Sequence, residues 1–125
     1  MSVLYYLAWA IAIVLVVLGL WALLSPHALA REYGVPVEGH EPAGFVRATG
    51  IRDIAFGIVL AATAYLHLLW LLVVIAVVGV AVSIADLWVA SHHGRAGFHR
   101  AHSIHASGIV AFVLVIAMAL FAIGR

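Results

Sequence analysis

The stretch Gly44–His67, GFVRATGIRDIAFGIVLAATAYLH, decides how this chain folds. After Asp53 comes a run of thirteen uncharged residues, Ile54 to Leu66, before His67. At 1.5 Å per residue that run rises about 20 Å, too little to cross a hydrocarbon core of about 30 Å. A helix that crosses here must start earlier, near Gly44 or Phe45. That start puts Arg47, Arg52 and Asp53 inside or just within the membrane. The other solution is one continuous helix from Ile54 to Ser91. Its 38 residues would measure about 57 Å, nearly twice the hydrocarbon thickness. Two spans, about residues 45–66 and 68–91, joined tightly around Leu66 to Leu68, are the better reading.

The rest of the chain agrees with a membrane setting. Of 125 residues, 67% are hydrophobic and 9% charged, where soluble domains average about 45–50% and 25%. Mean hydropathy is +1.24. A water-soluble core of this size cannot hide so much apolar surface. The length allows one domain, residues 1–125, and the composition disfavours a soluble enzyme, a disordered chain and a nucleic-acid binder. A net charge of +1 recruits neither nucleic acid nor an acidic partner. With no cysteine, disulfides, thiolate metal sites and cysteine nucleophiles are absent. All six basic residues are arginine, and five of the eight histidines fall between His92 and His105.

A first span covers about residues 3–24, whose uncharged run of 22 residues rises about 33 Å. A signal peptide is the rival reading, helped by Ala28-Leu29-Ala30. No Lys or Arg precedes the run, however, and it exceeds an ordinary signal core, so it is read as a retained span. Ser25-Pro26 is suited to begin a short helix, with Ser as N-cap and Pro in the first turn. Gly34 suits its end and Pro36 forbids continuation. This helix, Pro26 to Tyr33, is expected along the membrane surface, followed by a polar turn from Glu38 to Pro42. Residues His92 to His102 read as a polar loop, and a fourth span covers about 103–124.

Four spans put both termini on one side. Arg31, Arg47, Arg52, Arg95 and Arg100 then gather on the other, against Arg125 alone. The excess of arginine places the longer loops in the cytoplasm and both termini outside, in a multi-pass protein of the cell (inner) membrane. Tyr5, Tyr6, Trp9, Tyr65 and Trp70 suit one interfacial belt, and Trp21, Tyr33, Phe45, Trp88 and Phe98 the other.

In lipid, helices associate through small residues that let backbones approach. Steps of three and four give Ala8, Ala12, Leu15, Gly19 and Ala22 in the first span, and Gly50, Asp53, Gly57, Ala61 and Ala64 in the second. The third gives Gly79, Ser83, Asp86 and Ala90, the fourth Ala101, His105, Gly108 and Ala111. Each of the last three stripes holds one ionisable group. The fold class is thus an all-α integral membrane protein, four transmembrane helices in a bundle with a polar interior site. Asp53 lies about 12 Å in from the cytoplasmic ends, Asp86 about 8 Å and His105 about 3–5 Å. They would share a cavity open to that side, with Asp53 at its floor. Arg52 points about 100° away from Asp53 and either reaches Asp86 or snorkels, a role for which Arg47 is better placed.

Gly50-Ile51-Arg52-Asp53 with Gly57, preceded by Tyr33-Gly34-Val35-Pro36 and followed by Asp86, resembles a family of small four-span membrane proteins of unknown function. That family has a Gly-x-Arg-Asp motif in its second helix and an Asp late in its third. The resemblance implies the four-span fold and marks Arg52, Asp53 and Asp86 as family positions. It implies no activity, substrate or catalytic residue.

Charge inside a membrane costs about 2.5–3.5 kcal/mol or more per group, which makes Arg52, Asp53 and Asp86 the candidate catalytic residues. A register-fixing ion pair without chemistry is the competing reading. In a semi-apolar cavity, burial disfavours the charge on one carboxyl while Arg52 stabilises it on the other, a pairing suited to acid–base work. Asp53 then takes the deeper, proton-carrying role and Arg52 orients Asp86. The partner is a small apolar molecule entering from the lipid bilayer, with hydration of an epoxide, isomerisation or cyclisation as fitting reactions. A proton-coupled small transporter, working as a homo-oligomer, is the alternative from a different class, and a non-catalytic subunit is another. His99, His102 and His105 repeat at every third position and are the candidates for a metal or haem site, although the histidine boxes of membrane di-iron enzymes do not occur. No cofactor follows from the sequence.

Overall fold

A computed structural model of the chain describes residues 2–93 and 99–125, with residues 2 and 99–101 described for the backbone alone. Five helices account for nearly all of them: α1 (Ser2–Leu24), α2 (Pro26–Glu32), α3 (His40–Tyr65), α4 (Leu69–His93) and α5 (His99–Ile123). No strand occurs among the described residues. Three helices are long and apolar enough to cross a membrane: α1 over Val3–Leu24, α4 over Leu69–His93 and α5 over His102–Ile123, with mean hydropathies of 2.7, 2.5 and 2.7. The chain is therefore read as a membrane protein. The fourth long helix, α3, is not among these three. Glu41, Arg47, Arg52 and Asp53 lie along it.

The short α2 follows the local chemistry closely. Ser25 stands at the N-cap but its hydroxyl makes no capping bond, while Pro26 occupies the first turn, where its missing N–H is no loss. At the other end Val35 N–H donates to the Ala30 carbonyl (3.0 Å) and Gly34 N–H to that of Arg31 (3.1 Å). This paired closure requires the left-handed φ of 80° that Gly34 adopts. A second left-handed glycine, Gly39 at φ 88°, is the N-cap of α3. That helix starts at His40, so the segment expected as a polar turn is helical from His40 to Pro42. Its N-terminal turn is the part the apolar-run argument could not see.

α1 packs along α3, and α4 along α5, with α2 against both α1 and α3. Small residues set the first pairing. A Cβ at Gly50 would stand 2.5 Å from the Ala22 Cβ and 2.7 Å from the Gly19 carbonyl oxygen, so only glycine lets these backbones meet. In the second pair the Phe112 ring lies where a Cβ of Gly79 would fall, 2.7 Å away.

Leu4, Ala8, Leu60, Ala64, Leu72, Ala76, Val115 and Ala119 form a core in which all four long helices meet. These residues come from the start of α1 and α4 and the end of α3 and α5, so the core fills the half of the molecule nearest the α3–α4 turn. That turn has no glycine. His67 takes the left-handed conformation itself, at φ 55°, and its ring meets Tyr5 edge-on at 4.4 Å. The other half holds the polar residues.

The expected loop from His92 to His102 is shorter. His92 and His93 form the last turn of α4, and α5 starts at His99. Residues 94–98, with Arg95 and the belt candidate Phe98, lie outside the described residues. Tyr33 departs from the belt assignment, because its ring turns inward onto His105. Trp88 stays exposed and stacks on His92, with centroids 4.6 Å apart. Arg47 does not simply snorkel: its Nε donates to the Leu23 carbonyl at the end of α1 (3.3 Å).

Candidate functional site

α3, α4 and α5 each bring one ionisable residue of the small-residue stripes to the same level. Asp53 faces inward from α3 because Gly50 and Gly57, one turn either side, are held against α1. Its residue is only 8% exposed, in a helix whose buried positions are Ala43, Gly50, Asp53, Gly57, Leu60, Thr63 and Ala64. Asp86 approaches from α4 and His105 from α5. Arg52 joins the helices, and it does so from a position about 100° around α3 by curling its guanidinium back over Asp53.

That guanidinium is divided between two carboxylates. Nε and Nη2 donate to Asp53 Oδ1 at 3.1 and 3.0 Å, while Nη1 and Nη2 donate to Asp86 Oδ1 and Oδ2 at 3.4 and 3.0 Å. Asp86 receives a two-pronged fork across the helix gap, the geometry for which a planar guanidinium is suited and an ammonium is not. Asp53 is held by one oxygen only. The two carboxylates also differ in surroundings, with side-chain exposures of 11% for Asp53 and 31% for Asp86.

His105 completes the arrangement. It is 8% exposed, its Nε2 has no hydrogen-bond partner among the described residues, and its ring meets that of Tyr33 edge-on with centroids 5.2 Å apart. Burial pushes the Tyr33 hydroxyl well above the ordinary phenol range, and the nearby Asp53 and Asp86 carboxylates add to that push against an opposing Arg52. Tyr33 therefore remains a neutral phenol at physiological pH.

These groups border a partly open cavity of about 690 Å³ lined by α1, α3, α4 and α5. Its walls are mainly apolar, with Leu15, Phe56, Val82 and Phe112 among them, and Arg52, Asp53, Asp86, His105 and two serines (Ser83 and Ser107) supply the polar groups. The size lies within the range of small-molecule sites, and so does the ratio of a few polar groups to many apolar ones. Phe56 and Phe112 meet edge-on at 5.9 Å on this wall.

The chain matches the model of a domain of unknown function, DUF4267, over residues 12–120. It belongs to that family. No curated protein and no solved structure matches it. The matched DUF4267 region contains every residue of the site just described, and membership carries no specific activity.

Among the sequence candidates, the structure brings Arg52, Asp53, Asp86 and His105 together. Of the metal candidates His99, His102 and His105, the described side chains are those of His102 and His105. The His99 side chain lies outside the described residues, His102 is exposed, and His105 is turned inward. Among the described residues no group of three His, Asp or Glu is placed to hold a metal ion. The residue missed from sequence is Tyr33. Its signal was its place as the last residue before Gly34, where a helix closing back on α1 and α3 turns its C-terminal side chain inward.

Proposed function

We propose that this DUF4267 protein is a four-span helix bundle of the cell membrane, with both termini outside, and that it binds, or performs acid–base chemistry on, a small apolar molecule. The observation that carries this reading is the cavity of about 690 Å³ with two carboxylates on one guanidinium in its wall. α3 counts as a span because Asp53 is buried and both carboxylates pair with Arg52, which is how charge is tolerated at membrane depth. Its exposed residues include the apolar Ile51, Ile58 and Val59.

The two carboxylates are equipped for different tasks. Asp86 is fixed by the fork from Arg52 and is the more exposed of the two. Asp53 is deeper and has one oxygen outside the Arg52 contacts, so it is the group to exchange a proton with a bound molecule. A largely apolar wall suits a lipid-soluble substrate and lowers the local polarity, which strengthens each of these polar interactions.

Native mass spectrometry of the gently extracted protein tests the reading. A retained small lipid-soluble molecule is expected, with retention lost or strongly reduced in Asp53→Asn and Asp86→Asn. Retention that survives both substitutions overturns the assignment.

A further inference from the structure

A second, smaller cavity of about 290 Å³ lies on the α2 side of the same residues. Its walls come from α2, α3, α4, the connection after Tyr33 and His105 of α5, and include Ala30, Val35, Val37, Phe45 and Val89. Four residues border both cavities: Tyr33, Arg52, Asp86 and His105. Residues that face two spaces are the partition between them. Asp53 and Ser83 border only the larger space, and Thr49 only the smaller.

We propose that the smaller cavity is the vestibule of the larger one, and that the Arg52–Asp86 ion pair is the latch between them. The inference rests on the ligand-binding reading of the larger cavity and names the route by which its apolar ligand arrives. The vestibule has the same chemistry, apolar walls interrupted by the latch and by the Thr49 hydroxyl, so it accepts the same class of molecule.

The latch is built to open without stranding a charge. When Arg52 releases Asp86, its Nε and Nη2 contacts to Asp53 remain, so the cation keeps a counter-ion from its own helix. Asp86, already the more exposed of the two carboxylates, is the one left to water. The neighbouring cover is also suited to movement. Tyr33 belongs to the partition and leads directly into the segment from Gly34 to Gly39, which both ends turn through left-handed glycines. Val35 and Val37 of that segment roof the vestibule. Among the described residues its bonds lie at its two ends: Gly34 and Val35 N–H to the Arg31 and Ala30 carbonyls, and His27 Nε2 with the Gly39 carbonyl at 3.1 Å.

The chain has no cysteine, so a single introduced thiol reports on one place. Ser83→Cys puts it in the larger cavity and Thr49→Cys in the vestibule. In lipid nanodiscs, N-ethylmaleimide is expected to modify Thr49→Cys at the same rate with or without Asp86→Asn. At Ser83→Cys the rate is expected to rise up to about five-fold when Asp86→Asn is added, on the scale of losing one partly exposed charge pair. Asp86→Glu, which keeps the charge, is expected to return the rate toward that of the parent. An unchanged Ser83→Cys rate overturns the latch, because the thiol is then reached by another route. Rates that rise together at both thiols overturn it too, as general loosening. The measurement needs no ligand, so it fails independently of the retention experiment that tests the cavity itself.

Discussion

Arg52 reaches from α3 to α4 and forks onto both carboxylate oxygens of Asp86, Nη2 to Oδ2 at 3.0 Å and Nη1 to Oδ1 at 3.4 Å. α3 and α4 otherwise touch little along the site half of the molecule, where the cavity separates the helix pairs. This fork is therefore a main polar tie between the α1–α3 and α4–α5 pairs. It also explains why three charges persist in a chain that has so few.

Removing the cation is expected to cost more than removing the outer carboxylate. Arg52→Ala leaves Asp53, 8% exposed, without its counter-ion, a loss of about 2–3 kcal/mol. Asp86→Asn frees a partly hydrated group, and its expected cost is about 1 kcal/mol or less. Adding Asp53→Asn to Arg52→Ala restores much of the lost stability, since no buried charge is then left unpaired. Thermal unfolding in one detergent, followed by size-exclusion chromatography, ranks the four proteins.

Arg52→Lys separates geometry from charge. Lysine retains the positive charge but has no planar fork, so it cannot serve both oxygens of Asp86 while keeping Asp53. The expectation is a protein near parental stability that nevertheless retains its ligand poorly. Native mass spectrometry beside a melting curve checks both halves, and full retention would show that charge alone suffices.

Close approach of α1 and α3 gives a sharper contrast between two glycines. Gly50→Ala sets a methyl group 2.5 Å from the Ala22 Cβ and 2.7 Å from a backbone carbonyl, an overpacking cost of about 1–3 kcal/mol. Gly44→Ala, six residues earlier on the same helix, meets nothing within 4 Å and replaces a poor helix former. The first variant is expected to melt lower than the parent and the second no lower. Equal melting of the two would remove the close packing argument.

Part of this architecture was legible in the pattern of apolar runs and small residues. The long helix α3 does carry Arg52 and Asp53, and the small-residue stripes point Asp53, Asp86 and His105 at one cavity. What the sequence concealed depends on contacts no periodicity encodes. The start of α3 at His40 is set by the φ of Gly39, beyond the apolar run. Tyr33 reads as an interfacial aromatic until the closure of α2 turns it onto His105. Arg52 serving its own neighbour Asp53 follows from the length and flexibility of its side chain, which helix-face arithmetic ignores.

The α3–α4 turn is a place where one residue decides a conformation. His67 sits at φ 55°, where an L-residue other than Asn, Asp or His is strongly disfavoured by about 1–2 kcal/mol. His67→Gly removes that strain while losing the edge contact with Tyr5, so stability near the parent's is expected. His67→Val adds a β-branch to the same backbone and is expected to lower stability by about 1 kcal/mol or more. If both variants melt alike, the left-handed turn is not what limits this end of the molecule.

Alkaline pH should act on the site through Tyr33. Its folded hydroxyl is raised above the ordinary value of 10.0, first by burial and then by the Asp53 and Asp86 carboxylates. Above pH 10 the unfolded phenol ionises while the folded one keeps its proton, so the unfolded state binds fewer protons. Stability from this residue is complete below that pH and declines as pH rises beyond it. Tyr33→Phe removes the titrating group, and the alkaline side of the stability curve should become shallower while the neutral plateau stays nearly level. Phenolate absorbance gives a second reading: subtracting the Tyr33→Phe titration from that of the parent should show no ionisation from Tyr33 near pH 10 until the protein unfolds. A difference curve with an ordinary phenol midpoint would mean that the ring is not buried among these carboxylates, and the partition between the cavities would lose one of its four walls.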